Sequence, residues 1–123
     1  VLPVSVAAHS PLMAEAATAM RAVLAGVTFA DPRPPLLANV DARPITTAEG
    51  CRAELVEHLT TGVDWVRAIE SIAASGVTTF IEVGPGRVLT GLIRRIAPDA
   101  AVIPLAAPGA PDRLAVPFAL PPV

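Results

Sequence analysis

"TTFIEVGPGRVLTGLIRRIAPDAAVIPL", from Thr78 to Leu105, carries the reading that decides the fold. Its first six residues, Thr78 to Val83, are β-branched and mostly apolar, which predicts a strand buried on both faces. "GPG", Gly84 to Gly86, then turns that strand directly into a helix carrying Val88, Leu89, Leu92, Ile93 and Ile96. After Pro98, "AVIPL" predicts a second short strand. Strand, helix and strand joined by tight turns are the signature of a βαβ unit, hence of an α/β fold with a parallel sheet.

Upstream, Leu2 to Ala8 reads as a strand that stops at His9. Ser10 offers an N-cap oxygen and Pro11 a pre-set φ for a helix to about Ala25. Leu12, Met13, Ala16, Ala17, Met20, Val23, Leu24 and Val27 follow at helical spacing, with Gly26 as the stop. "DPRPP", Asp31 to Pro35, is a loop, and "LLANV", Leu36 to Val40, a short buried strand. Thr46 and Glu49 form a capping-box pair for a helix to about Leu59, with Cys51, Leu55, Val56 and Leu59 inward. A further helix is expected from Val63 to Ser75, with Trp65, Val66, Ile69 and Ile72 inward and Gly76 in the left-handed closing position.

Composition narrows the function. The 123 residues are 53% hydrophobic and 16% charged, apolar for a small free-standing domain, which points to surface covered by something else. The net charge is −2, all nine basic residues are Arg, and aromatics are few, so no cationic stripe exists to grip nucleic acid. Cys51 is the lone cysteine, which excludes an internal disulfide and reads as a small buried hydrophobe. No apolar run approaches a membrane span and no signal-peptide pattern is visible, so a cytoplasmic location is expected. A start without Met, inside a strand-like run, predicts one piece of a longer polypeptide.

His9 is the first candidate for chemistry, because active sites of α/β sheets are built on loops at strand ends. The positive end of the following helix disfavours imidazolium, so a histidine there is suited to accept a proton. On spacing alone the stronger reading is a residue that fills a polar corner beside a helix start. His58, late in a helix, reads as a solvated or capping residue, and two histidines without a third ligand make no zinc site. "GPG" either presents backbone N–H groups to an anion or, the stronger reading, makes a tight turn needing residues without Cβ. Glu82, the single charge of its strand, points to a sheet edge or pairs with an Arg; Arg94 and Arg95 suit the C-terminal dipole of their helix.

Four ordered blocks carry a family resemblance: "LPVSVAAHSPLM" (Leu2 to Met13), "LLANVDARPIT" (Leu36 to Thr46), "LVEHLTTGVDW" (Leu55 to Trp65) and "FIEVGPGRVLTGLIRRI" (Phe80 to Ile96). Their order and spacing resemble the malonyl-CoA:acyl carrier protein transacylases and the related acyltransferase domains of polyketide synthases. The resemblance implies the C-terminal part of an α/β-hydrolase-like parallel-sheet subdomain over residues 1–107, with a Pro-rich tail at 108–123. The family's ferredoxin-like small subdomain would lie mostly upstream.

The implied reaction moves malonyl from coenzyme A to the phosphopantetheine thiol of acyl carrier protein through an acyl-serine, with no cofactor or metal. His9 matches the family's catalytic base, and His58 the position whose backbone carbonyl orients it. Gly62 stands where Pro is common in the family. Ser5, Ser10, Ser71 and Ser75 have no G-x-S-x-G frame, so the nucleophile is expected on an N-terminal part that partners this chain, and the isolated chain is expected to be inactive. Val6, Ala7 and Ala8 match neither usual form of the polyketide specificity motif, and similarity to the stand-alone enzymes favours malonyl. Two other classes stand beside this: a non-catalytic α/β remnant used for interaction, and an acyl hydrolase of the same fold.

Overall fold

The computed structural model describes residues 6–105, a mixed α/β chain that divides after Ser71 into two compact units. The Pro-rich tail and the first half of the expected N-terminal strand lie outside the described residues.

In the first unit, Val6 to Ala8 is exposed turn, not strand. The backbone bends there because the Ser10 hydroxyl donates back to the Ala7 carbonyl at 2.7 Å and His9 adopts φ 59°. Ser10 therefore opens the next element through its extended backbone and not through a side-chain cap. A 3-10 turn, Pro11–Met13, leads into α1, Ala14–Leu24. Its inner stripe is narrower than the spacing predicts: Ala17 and Leu24 are buried, whereas Leu12 is 82% exposed and Val23 also faces out.

β1 (Leu36–Leu37) pairs antiparallel with β2 (Pro44–Ile45), Leu36 opposite Ile45. The strand expected to run to Val40 stops early because the chain reverses at once, the N–H of Ala42 donating to the Ala38 carbonyl at 3.1 Å. α2 spans Ala48–Glu57 and is capped one residue later than the capping-box reading, by Thr47 Oγ1 accepting the Gly50 N–H. Asp31, from the Pro-rich loop, adds a second cap by accepting the Ala48 N–H at 2.7 Å. Glu49 is left to pair with Arg52.

Two apolar clusters hold this unit. Ala17, Leu24 and Val56, flanked by Met20, Phe29 and Leu59, lock α1 against α2. Ala38, Ile45 and Cys51 form the other, also against Phe29. Leu55, expected inward, is exposed, and Glu54 is buried in its stead. There Asn39 donates its N–H to Glu54 Oε1 at 2.7 Å, and Arg43 lies 3.7 Å from Oε2. Arg52 reaches the Val27 carbonyl and lies over the Phe29 ring, tying α2 to the segment after α1.

α3, Trp65–Ala74, runs across the division with Ile69 buried and Val66 exposed, and Gly76 closes it at φ 94°. In the second unit β3 (Thr79–Val83) and β4 (Ala101–Leu105) form a two-stranded parallel sheet joined by α4 (Val88–Ile96), the βαβ unit expected. Register runs from Thr79 opposite Ala101 to Val83 opposite Leu105. β3 is not buried on both faces: Phe80 and Glu82 point inward, while Val83 is 80% exposed.

Candidate active site

The loop before α1 and the C-terminus of α2 bring the two histidines together. They stand 49 residues apart in sequence, yet His9 Nδ1 lies 2.7 Å from the His58 carbonyl oxygen. A carbonyl can only accept, so Nδ1 carries the hydrogen and the neutral ring keeps its lone pair on Nε2. Packing explains the meeting. Ala17 and Leu24 of α1 seat against Val56 of α2 and Leu59 just past its end, which sets the start of one helix beside the end of the other. His58 is the residue that ends α2, so its carbonyl belongs to the set a helix leaves unpaired.

His9 is exposed and occupies the left-handed region, which few residues with a Cβ adopt and which clusters at functional sites. The His58 ring turns back on its own helix, Nδ1 lying 2.9 Å from the Glu54 carbonyl. The two rings stand 5.7 Å apart between centroids, tilted by 43°. Sequence spacing gave no sign of this ring pair.

The second candidate, the Gly84 to Gly86 turn, resolves differently. Gly84 and Gly86 take φ 135° and 96°, the conformations that make the tight turn. The first turn of α4 already holds a carboxylate: Glu82 accepts the N–H groups of Leu89 at 3.1 Å and Thr90 at 2.9 Å, and the Thr90 hydroxyl. That leaves the anion reading without its donors at Leu89 and Thr90. It also corrects one of the two fates expected of Glu82, since among the described residues the side chain forms no ion pair with an Arg; β3 does lie at an edge of its two-stranded sheet. The Thr90 hydroxyl first, then the two N–H groups and nearby Arg87, hold its carboxyl below the usual range against the opposing effect of burial. Arg94 and Arg95 lie exposed in the last turn of α4, as expected.

An apolar cavity of about 380 Å³ lies elsewhere in the first unit, lined by Phe29, Leu36, Ile45, Cys51, Glu54 and Leu55 among others. Among the described residues no three His, Cys, Asp or Glu side chains gather to hold a metal, and no helix is long and apolar enough to cross a membrane.

No family model matches the chain. Individual proteins do. A malonyl CoA-acyl carrier protein transacylase of Salmonella typhimurium is 47% identical over 95 residues, 77% of this chain and 31% of that protein. The crystal structure of an acyl-carrier-protein S-malonyltransferase from Bartonella henselae is 41% identical at TM-score 0.86, over 92% of this chain and 36% of its own. A malonyl-transacylase solved in complex with its type II polyketide synthase acyl-carrier protein is 38% identical at TM-score 0.83, over 89% of this chain and 35% of its own. The relatives are acyltransferases, and their solved structures share this mixed α/β arrangement. More narrowly, the chain is homologous to the malonyl-CoA:acyl carrier protein transacylases, and it spans about a third of their length.

Proposed function

We propose that the chain is the C-terminal part of a malonyl-CoA:acyl carrier protein transacylase, within an α/β-hydrolase-like subdomain, and that His9 is its general base. One observation carries the proposal: His9 donates Nδ1–H to the His58 carbonyl at 2.7 Å, which leaves Nε2 as the proton acceptor. Similarity to the Salmonella and Bartonella enzymes supports the reaction class. The nucleophilic serine, in a G-x-S-x-G elbow, belongs to an N-terminal part that partners this chain in the cytoplasm.

His9 Nε2 takes the serine proton as the serine oxygen attacks the malonyl thioester carbonyl, and returns it to the sulfur of coenzyme A as the C–S bond breaks. The thiol of the carrier protein's phosphopantetheine arm then gives its proton to the same nitrogen. Its sulfur attacks the carbonyl of the malonyl-serine ester, the acyl C–O bond to serine breaks, and the proton goes back to the serine oxygen. The His58 carbonyl stabilises the imidazolium formed in each half and holds the ring in one tautomer.

The test mixes the chain with its N-terminal complement and follows malonyl transfer from coenzyme A to acyl carrier protein. Either component alone is expected to be inactive. His9→Ala is expected to slow the reconstituted reaction by about 10²–10⁴-fold, the usual contribution of a positioned base. Transfer by reconstituted His9→Ala at the parent rate would overturn the assignment.

A further inference from the structure

A carbonyl acceptor at position 58 can come from any residue, so the His58 ring is unexplained by the bond to His9. That ring, unlike the exposed one of His9, is half-buried as well as bonded. Its Nδ1–H donates to the Glu54 carbonyl at 2.9 Å, one turn earlier in α2, while flanking Val56 and Leu59 are held in the cluster with Ala17 and Leu24. Its centroid stands 5.7 Å from that of His9, at 43°, within the range of tilted aromatic pairs.

His9 needs such a neighbour. It is exposed, on a turn, and its ring is tethered through Nδ1 to a single oxygen. One hydrogen bond leaves the ring free to swing about the line between nitrogen and oxygen, and that swing displaces Nε2. A contact off that line removes the freedom.

We propose that the imidazole of His58 is a positioning group, a fixed wall that holds the His9 ring at one angle about its hydrogen bond and so aims Nε2. The consequence for transfer rests on the reading of His9 as the base; the ring contact itself does not.

Nuclear magnetic resonance of the intact 123-residue chain separates these. In the parent, cross-relaxation between carbon-bound ring protons of His9 and His58 is expected; its absence overturns the proposal. His58→Ala keeps the carbonyl and removes the wall. It is expected to raise the exchange rate of the His9 Nδ1 proton about three- to tenfold, the scale of one lost aromatic contact, and to mix the His9 tautomers. His58→Phe restores a flat ring and is expected to bring the exchange rate back toward the parent value. An unchanged rate in His58→Ala, or a His58→Phe rate equal to that of His58→Ala, overturns the proposal. Should His58→Ala lose its helical circular dichroism, His58→Leu takes its place, filling volume without a flat ring, and equal rates for Leu and Phe overturn the proposal. In the reconstituted reaction, His58→Ala is expected to lower kcat with KM unchanged. If His9→Ala leaves transfer intact, the base assignment fails while the spectra still judge the ring contact.

Discussion

Replacing Thr47 by Ala removes one acceptor from the N-terminus of α2 and tests where that helix begins. Thr47 sits at φ −125° and ψ 151°, outside the helix, and its hydroxyl oxygen accepts the Gly50 N–H at 3.1 Å. Truncating such a cap costs about 0.5–2 kcal/mol. Asp31 still accepts the Ala48 N–H in the variant and restrains the first turn, so the loss belongs near the middle of that range, ~1 kcal/mol. For a chain of this size ~1 kcal/mol lowers Tm by about 3–5 °C. Thr46, one residue earlier, is exposed, so Thr46→Ala is expected to stay within about 0.5 kcal/mol of the parent. Far-UV circular dichroism melts of the parent and both single variants make the comparison. Equal losses for the two variants, or a larger loss for Thr46→Ala, would refute the cap assignment. The His9 to His58 contact lies at the far end of α2 and serves as the internal control, since its imidazole resonances are expected to be unchanged in Thr47→Ala.

Glu82 gives a pH dependence whose sign follows from its lowered carboxyl value. Stabilisation by the carboxylate is complete above the ordinary glutamate value of about 4.3 and is lost as pH falls through the lower folded-state value. Melts of the parent therefore weaken on acidification through that window, and Glu82→Gln is expected to show a shallower decline; an identical slope would remove Glu82 from the account. Ile45→Ala empties a position that is 3% exposed and touches the Ala38 and Cys51 cluster. A loss of about 2–5 kcal/mol is expected in denaturant unfolding, and a loss below about 1 kcal/mol would mean that the cluster collapses around the deletion.

The βαβ unit was legible in advance because each of its signals is local. The β-branched run of β3, the glycines at positive φ, the helical spacing of α4 and the closing strand all lie within 28 consecutive residues, Thr78 to Leu105. Local errors arose where one polar side chain had two partners to choose from. Thr46 and Thr47 are adjacent and chemically equal, and only the register of α2 against Asp31 and Ile45 decides which caps it. Gly50 shows that register: a Cβ there would stand 2.9 Å from Ile45 Cγ2, so the helix start and β2 are in direct contact. Glu82 was misread for the same reason. Its partners are Leu89 and Thr90, seven and eight residues on, and they come within reach because the Gly84 to Gly86 turn brings the first turn of α4 beside Glu82.

The candidate site was legible in a different way. Helix-dipole reasoning singled out His9 as an imidazole suited to stay neutral, but it said nothing about what would orient the ring. That partner is a backbone atom, and backbone atoms leave no mark in a sequence. Side-chain identity at 58 is the part that a sequence does record, and there the structure adds a physical reason for it. His58 closes α2, bonds its own ring to Glu54 and sets that ring beside His9, so one residue supplies both the acceptor and the wall. Helix packing makes the arrangement economical: Leu59 and Val56 draw α2 onto α1, and the same contact that buries them delivers His58 to the loop that precedes α1. The geometry of His9 is in this sense a by-product of the core, and core deletions near Val56 are expected to disturb the His9 resonances before they unfold the chain.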